Sequence, residues 1–218
     1  MGSQNSLLEP FYRGAEADLF LSQTGPWQTV VKKRIVKDYR NHLLDDRLRR
    51  ERTLSEAAII HDARVAGVRV PSVFDVNLEE NTIVMLRIAG TGVRECLDLM
   101  KPSEARILFK QLGEQIGKLH SAGIAHGDLT TSNIIMTHAG TPFLVDFGMS
   151  RRSEEPEDRG VDLHLLERSI NATHRHTASK LIKSFVEGYT ETAGDKTASQ
   201  TMAKAREISR RGRYFAIR

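Results

Sequence analysis

The chain is short of several residue types, and each shortage removes a class of protein. Its single cysteine, Cys96, has no partner for an intrachain disulfide, which fits a reducing compartment rather than an oxidising one. Aromatic residues make up only 6%, so the core must lean on Leu, Ile, Val and Ala. The longest apolar runs are four or five residues, such as 57–60, far short of the roughly 20 that span a bilayer. The opening segment MGSQNSLLEPFYRG has neither a basic region nor an apolar stretch with a cleavage site, so the expectation is a cytoplasmic protein with no secretory signal and no membrane contact. What remains is a globular composition. The 218 residues are 39% hydrophobic and 28% charged, enough to bury a core in one large domain or two small ones and too apolar for wholesale disorder.

Charge is unevenly placed, and that says more than the net value of +4. Residues 32–52 hold nine Lys/Arg against four Asp/Glu, and residues 204–218 hold six against Glu207 alone. Each stretch carries +5, so the rest of the chain carries −6, part of it in the six acids of 151–167. Concentrated positive charge suits a partner with phosphates or an acidic face. A solvated helix face is the plainer reading of any one such run.

Residues 18–22 and 29–35 read as strands flanking Thr24-Gly25-Pro26. A long helix is expected from about Leu43 to Ala66, stopped by Gly67, and further strands over 70–76 and 82–88. Gly90 and Gly92 loosen the chain and mark the expected boundary between two lobes, 1–89 and 90–218. Ala105, Leu108, Phe109, Leu112, Ile116 and Leu119 recur at helical spacing after Ser103, a candidate N-cap. Short strands at 133–136 and 143–147 flank a turn at 139–142, and helices follow over about 160–172, 178–190 and 196–209. The fold class is α+β, with an antiparallel sheet and one main helix first and a mostly helical second half.

The strongest constellation is His126-Gly127-Asp128-Leu129-Thr130-Thr131-Ser132-Asn133, with Asp146-Phe147-Gly148 following. A loop aspartate, an asparagine five residues on and a second aspartate after a hairpin form the phosphoryl-transfer pattern of protein-kinase-like folds. The hairpin returns Asp146 to Asn133, so the two can share a divalent cation while Asp128 faces the incoming nucleophile. Hard oxygen donors of this kind suit Mg²⁺. Each element alone is weak, but the order and gaps together are specific. The same chemistry asks for a strand lysine and a helical glutamate. Lys32 or Lys33 supplies the first and Glu56 the second, the lysine holding ATP phosphates and the glutamate fixing its ammonium. Met85 stands where a hinge strand should begin, with main-chain groups of Leu86 and Ile88 able to pair with adenine. A Met in an apolar strand is more often simple core. His174-x-His176 lacks a third ligand at suitable spacing and reads as a polar loop.

These segments resemble the small atypical kinase/ATPase subunits of the KEOPS complex, a family acting in the making of threonylcarbamoyladenosine on transfer RNA. The resemblance lies in Gly14-Ala15-Glu16-Ala17, Lys32 through Arg40, Arg52-Thr53 with Glu56-Ala57, His126 through Asn133, Asp146-Phe147-Gly148, Val161-Asp162-Leu163 with Leu166-Glu167-Arg168, and Arg210-Arg211-Gly212-Arg213. It runs from near residue 13 to the end of the chain. It implies a two-lobed protein-kinase-like fold with a reduced C-lobe, Lys32 rather than Lys33 as nucleotide lysine, and Gly14 as the remnant of a phosphate lid. It also implies ATP and Mg²⁺ as cofactors and a serine/threonine-kinase-like or ATPase activity. Partners would be other KEOPS-type subunits, including the one carrying the threonylcarbamoyl-transfer site, and transfer RNA met by Arg210, Arg211 and Arg213.

Departures from ordinary kinases sharpen the expectation. Only Gly14 remains of a Gly-x-Gly-x-x-Gly lid, and Glu16 brings negative charge to it unless it pairs with a cation or faces away. Gly127 and Thr130 stand where an arginine and a lysine are usual, which removes a reader of phosphorylated loops and one charge near the transferred phosphate. No Ala-Pro-Glu follows Asp146, and only 70 residues follow Gly148, so a full peptide-docking platform does not fit. Two other readings stay open from the residues: a small-molecule kinase of the aminoglycoside or choline type, and a kinase fold kept only for docking.

Overall fold

A computed structural model describes residues 9–215, with side chains placed as far as Arg211. The chain divides into two compact units, Met1–His61 with Pro71–Arg87, and Asp62–Val70 with Ile88–Arg218. The α+β class is confirmed, with an antiparallel-sheet N-lobe and a mostly helical remainder.

In the first unit the strands β1 (Tyr12–Arg13), β2 (Ala17–Thr24) and β3 (Trp27–Arg34) precede the long helix α1 (His42–Val65), and β4 (Val73–Asn77) and β5 (Thr82–Leu86) follow it. All pairings are antiparallel, in the order β1-β2-β3-β5-β4. Val31 and Ile83 on the sheet and Ala57, Ile59 and Ile60 on α1 are buried. Helix α1 starts where Asn41 Oδ1 accepts the Leu43 N–H at 3.0 Å, a short polar side chain serving an otherwise orphaned donor. It ends where Gly67 adopts φ +78° and its N–H reaches Arg64 O.

The second unit opens with β6 (Gly90–Gly92) and the single-turn α2 (Val93–Cys96), followed by α3 (Pro102–Ser121) and β7 (Ile124–Ala125). The chain then runs through β8 (Ile134–Thr137), β9 (Pro142–Leu144), β10 (Arg151–Arg152), α4 (Pro156–Thr173), α5 (Ala178–Ala193) and α6 (Asp195–Phe215). The face of α3 expected from its periodicity is the buried one: Leu108, Phe109, Leu112, Ile116 and Leu119 are all within 2% of full burial. Helices α3 and α5 pack closely because neither has a side chain at the crossing. A β-carbon at Gly113 would strike the Phe185 carbonyl oxygen, and one at Gly188 would strike that of Lys110.

Two local expectations are corrected. Ser103 is not the cap of α3: Lys101 is, Pro102 occupies the first turn where its fixed φ is an advantage, and Glu104 reaches back to the Lys101 N–H at 3.3 Å. Gly90 and Gly92 do not merely loosen the chain but form a strand paired with β8, Gly90 lying opposite Thr137.

Candidate nucleotide and metal site

The segment from His126 to Asn133 lies in the second unit between β7 and β8, and a buried carboxylate from α4 sets its shape. Asp162 accepts the His126 N–H at 2.6 Å through Oδ2 and the Gly127 N–H at 2.8 Å through Oδ1. Behind it His120 bonds the same carboxylate at 3.1 Å and Tyr189 Oη at 2.9 Å, and Tyr189 donates to Thr201 Oγ1 at 3.3 Å. Asp162 and Thr201 are fully buried. Burial of this kind is tolerable only because each polar group has a partner. The far side of the loop is pinned by Ser169 Oγ, bonded to Thr131 N and Oγ1.

His126 faces inward. Its Nε2 meets Val145 O at 3.2 Å, its Nδ1 accepts the Asp128 N–H at 3.4 Å, and its ring lies 4.8 Å from that of Phe147. Burial pushes the imidazole pKa down, with Asp162, Asp146 and Asp128 opposing. One donor and one acceptor nitrogen is what a neutral ring provides. His126 is therefore a brace linking the loop to the Asp146-Phe147 segment.

Asn133 Nδ2 donates to the Asp128 carbonyl at 2.8 Å and to Asp128 Oδ2 at 2.9 Å. With the amide nitrogen spent on Asp128, the carboxamide oxygen is the group Asn133 can offer a cation. Val145 N donates to Asn133 O at 3.0 Å, so the loop asparagine and the segment entering Asp146 are brought together. Asp146 has φ +60°, a left-handed conformation that Asp tolerates better than most residues and that often marks a functional position. Its Oδ1 accepts the Gly148 N–H at 3.2 Å.

Gly127, at φ +79°, has a packing reason that sequence alone does not show. Any side chain there would collide with the Met149 carbonyl oxygen, so the arginine of regulated kinases cannot be accommodated. Ser150 Oγ donates to His126 O at 2.9 Å. The charged segment beyond it is pinned: β10 pairs with β7, Arg151 grips Asp158 with two nitrogens, and Arg152 grips Asp62 at 2.5 and 3.0 Å. The Arg151 guanidinium pulls the Asp158 carboxyl down to about 2.

In the first unit Lys32 Nζ bonds Glu56 Oε1 at 2.6 Å, both side chains being buried. Lys33 alternates to the other sheet face and pairs with exposed Glu80 at 2.7 Å, so Lys32 is the one of the two that meets Glu56. Arg34, missed in the sequence among so many cations, shares the Lys32 face and bonds Glu56 Oε2 at 2.6 Å. One register step along that face, Leu21, Val30, Met85 and Val73 lie opposite one another across four strands, a partly exposed apolar row about 7 Å from the Lys32 row. Met85 belongs to this row, and Val30 and Leu21 are members that single-residue reading overlooked. The Leu86 N–H is taken by Ser72 O at 2.8 Å, so Leu86 can offer a base only its carbonyl. Ile88 opens the second unit and is half-buried. In the turn after Gly14, Glu16 pairs with Arg52 at 2.9 Å, and Lys37 donates to the Ala15 carbonyl. The acid of this turn is thus matched by a cation.

The basic end is less free than its charge suggests. Arg211 pairs with Glu157 at 3.1 Å and Glu207 at 2.5 Å, and Lys204 with the same two acids at 3.3 and 2.7 Å. Arg210 is exposed, and the Arg213 side chain lies outside the described residues. His174 and His176 lie in the turn between α4 and α5, as the polar-loop reading expects; His174 is nonetheless buried, caps α4 through its N–H to Ile170 O, and bonds Asp98 at 2.6 Å, while His176 is exposed. Among the described residues no three His, Cys, Asp or Glu side chains group as metal ligands, and no helix is long and apolar enough to cross a membrane.

The five-stranded sheet with its buried lysine–glutamate pair, and the braced loop with its paired Asp128 and Asn133, define a protein-kinase-like fold. Comparison with known proteins narrows this. Residues 21–189 match the RIO domain family. The chain is 40% identical over 208 residues to KEOPS complex subunit Bud32 of Pyrococcus abyssi, covering 93% of this chain and 94% of that one. It is also 41% identical to a probable bifunctional tRNA threonylcarbamoyladenosine biosynthesis protein of Methanothermobacter thermautotrophicus and 40% identical to one of Methanosarcina mazei. It spans only 36% and 35% of those longer proteins. The chain belongs to the RIO-domain family, among its Bud32-type members.

Proposed function

We propose that the protein is an ATP- and Mg²⁺-dependent atypical serine/threonine kinase or ATPase that works in a KEOPS-type assembly for threonylcarbamoyladenosine formation on transfer RNA. The observation that carries this reading is the Asp128–Asn133 pair, held by two hydrogen bonds beside a left-handed Asp146. Asp128 is the catalytic base, or the group that orients water if hydrolysis is the physiological reaction. The Asn133 and Asp146 oxygens form a hard donor set that fits Mg²⁺, whose role when bound is to neutralise phosphate charge. Lys32 holds the phosphates, Glu56 positions Lys32, and the row containing Met85, with Leu86 and Ile88, receives the adenine. Gly14 begins the turn that covers the phosphates.

The names of the relatives support the assembly and the transfer-RNA pathway. Other KEOPS-type subunits, including the one carrying the threonylcarbamoyl-transfer site, are the proposed partners, in the cytoplasm. Arg210, Arg211 and Arg213 are proposed to meet transfer RNA. Arg211 would first have to leave Glu157 and Glu207, so binding through this end should be weak and should fall steeply with salt.

ATP hydrolysis measured alone, then with partner subunits and transfer RNA, tests the proposal. Low basal turnover stimulated by the partners or RNA is expected. Stimulation by a small alcohol or amine would transfer the reading to a small-molecule kinase, and no turnover under any condition would reduce the fold to a docking module.

A further inference from the structure

We infer that Arg34 is a positioning residue that holds Glu56 independently of Lys32, so the lysine can engage phosphates without releasing helix α1. The inference rests on the reading of Lys32 as the phosphate-holding group. Glu56 is bridged, not paired: Lys32 takes Oε1 and Arg34 takes Oε2, each at 2.6 Å, with the Arg34 and Glu56 side chains 4% and 2% exposed. Arg34 Nη2 also donates to the Arg52 carbonyl at 3.2 Å, one turn earlier on α1. A single guanidinium therefore ties β3 to α1 at two points, neither of which involves Lys32.

A lone lysine–glutamate pair faces a conflict. Phosphates drawing the ammonium away would leave a buried carboxylate without a partner, which is costly. With Arg34 in place Glu56 keeps a charged partner throughout. A lysine at 34 could not substitute fully. Both bonds leave one nitrogen, Nη2, at the end of a side chain longer than that of lysine, so a lysine ammonium would reach the carboxylate and the carbonyl less well.

Two readouts test this, one without nucleotide. In amide hydrogen exchange of the nucleotide-free protein, Lys32→Met should leave residues 52–60 of α1 protected as in wild type. Arg34→Met removes the bonds to both Glu56 and the Arg52 carbonyl and should speed the exchange of 52–60 by about tenfold or more. In binding of a fluorescent ATP analogue, Arg34→Met and Glu56→Gln should each weaken affinity by about tenfold, and the double variant should be no weaker than Glu56→Gln alone. That non-additivity is what a role through Glu56 requires and a merely structural one does not. Wild-type exchange in Arg34→Met, loss of protection in Lys32→Met, or additive losses in the double variant would overturn the inference. Should Arg34→Met not fold, Arg34→Lys replaces it, with an intermediate loss in both readouts expected and wild-type behaviour in both overturning it. Undiminished nucleotide binding by Lys32→Met would instead remove the phosphate role of Lys32, and the exchange result would still decide what Arg34 does.

Discussion

Asp128→Ala is expected to lower ATP turnover by about a hundredfold or more while nucleotide binding stays measurable. Loss of a positioned acid/base group has that scale, and the local geometry limits collateral damage. Asn133 holds the loop through both the Asp128 carbonyl and its carboxylate, and the main-chain bond survives the substitution. The melting temperature should therefore change little. Turnover and nucleotide binding measured on the same preparation check the result. Turnover close to wild type would remove Asp128 from the chemistry.

Asp162→Ala is expected to be the most destabilising single change near the site. The carboxylate is fully buried and accepts from the main chain of His126 and Gly127 and from the His120 ring. Truncation leaves all three without an acceptor where no bulk water reaches. Breaking a buried charged network of this kind costs about 3–5 kcal/mol, or a melting temperature lower by roughly 6–20 °C for a chain of this size. Asp162→Asn keeps the volume but has a single acceptor oxygen and turns a donor toward the other N–H, so it should fall between. Tyr189→Phe, two bonds further out, should cost only about 1 kcal/mol. Thermal unfolding of the three variants checks the order, and an Asp162→Ala protein that melts like wild type would mean that the loop is held by something else.

The loop from His126 to Asn133 was legible in the sequence because its pattern is local. Asp128, Asn133 and Asp146 lie within one loop and one hairpin, where order and spacing alone limit the geometry. Helix α3 was legible because its apolar face repeats at helical spacing. The parts that were not legible depend on distant partners. Arg34 is one of nine cations between 32 and 52, and nothing in its neighbours says that it joins Lys32 in turning inward to Glu56. Glu16 puts an acid in the turn after Gly14, and the cation that pairs with it, Arg52, lies 36 residues away. Gly127 could be read as a missing arginine, but the Met149 carbonyl that excludes any side chain there comes from a segment the motif does not include. Strands β7 and β10, two residues each, exist only because they pair with each other, and two residues carry no periodicity to read.

The most direct test is ATP affinity measured by calorimetry with Mg²⁺ and with chelator, in wild type and in Asp146→Asn. Asparagine suits the test because it tolerates the φ of +60° at this position while removing the charge. If Asn133 and Asp146 hold Mg²⁺ beside the phosphates, the metal should tighten ATP binding to wild type by about tenfold or more, with most of that gain lost in Asp146→Asn. Metal-free affinity should stay close to wild type in the variant. Equal affinity with and without Mg²⁺ in wild type, or an undiminished metal effect in Asp146→Asn, would contradict the assignment.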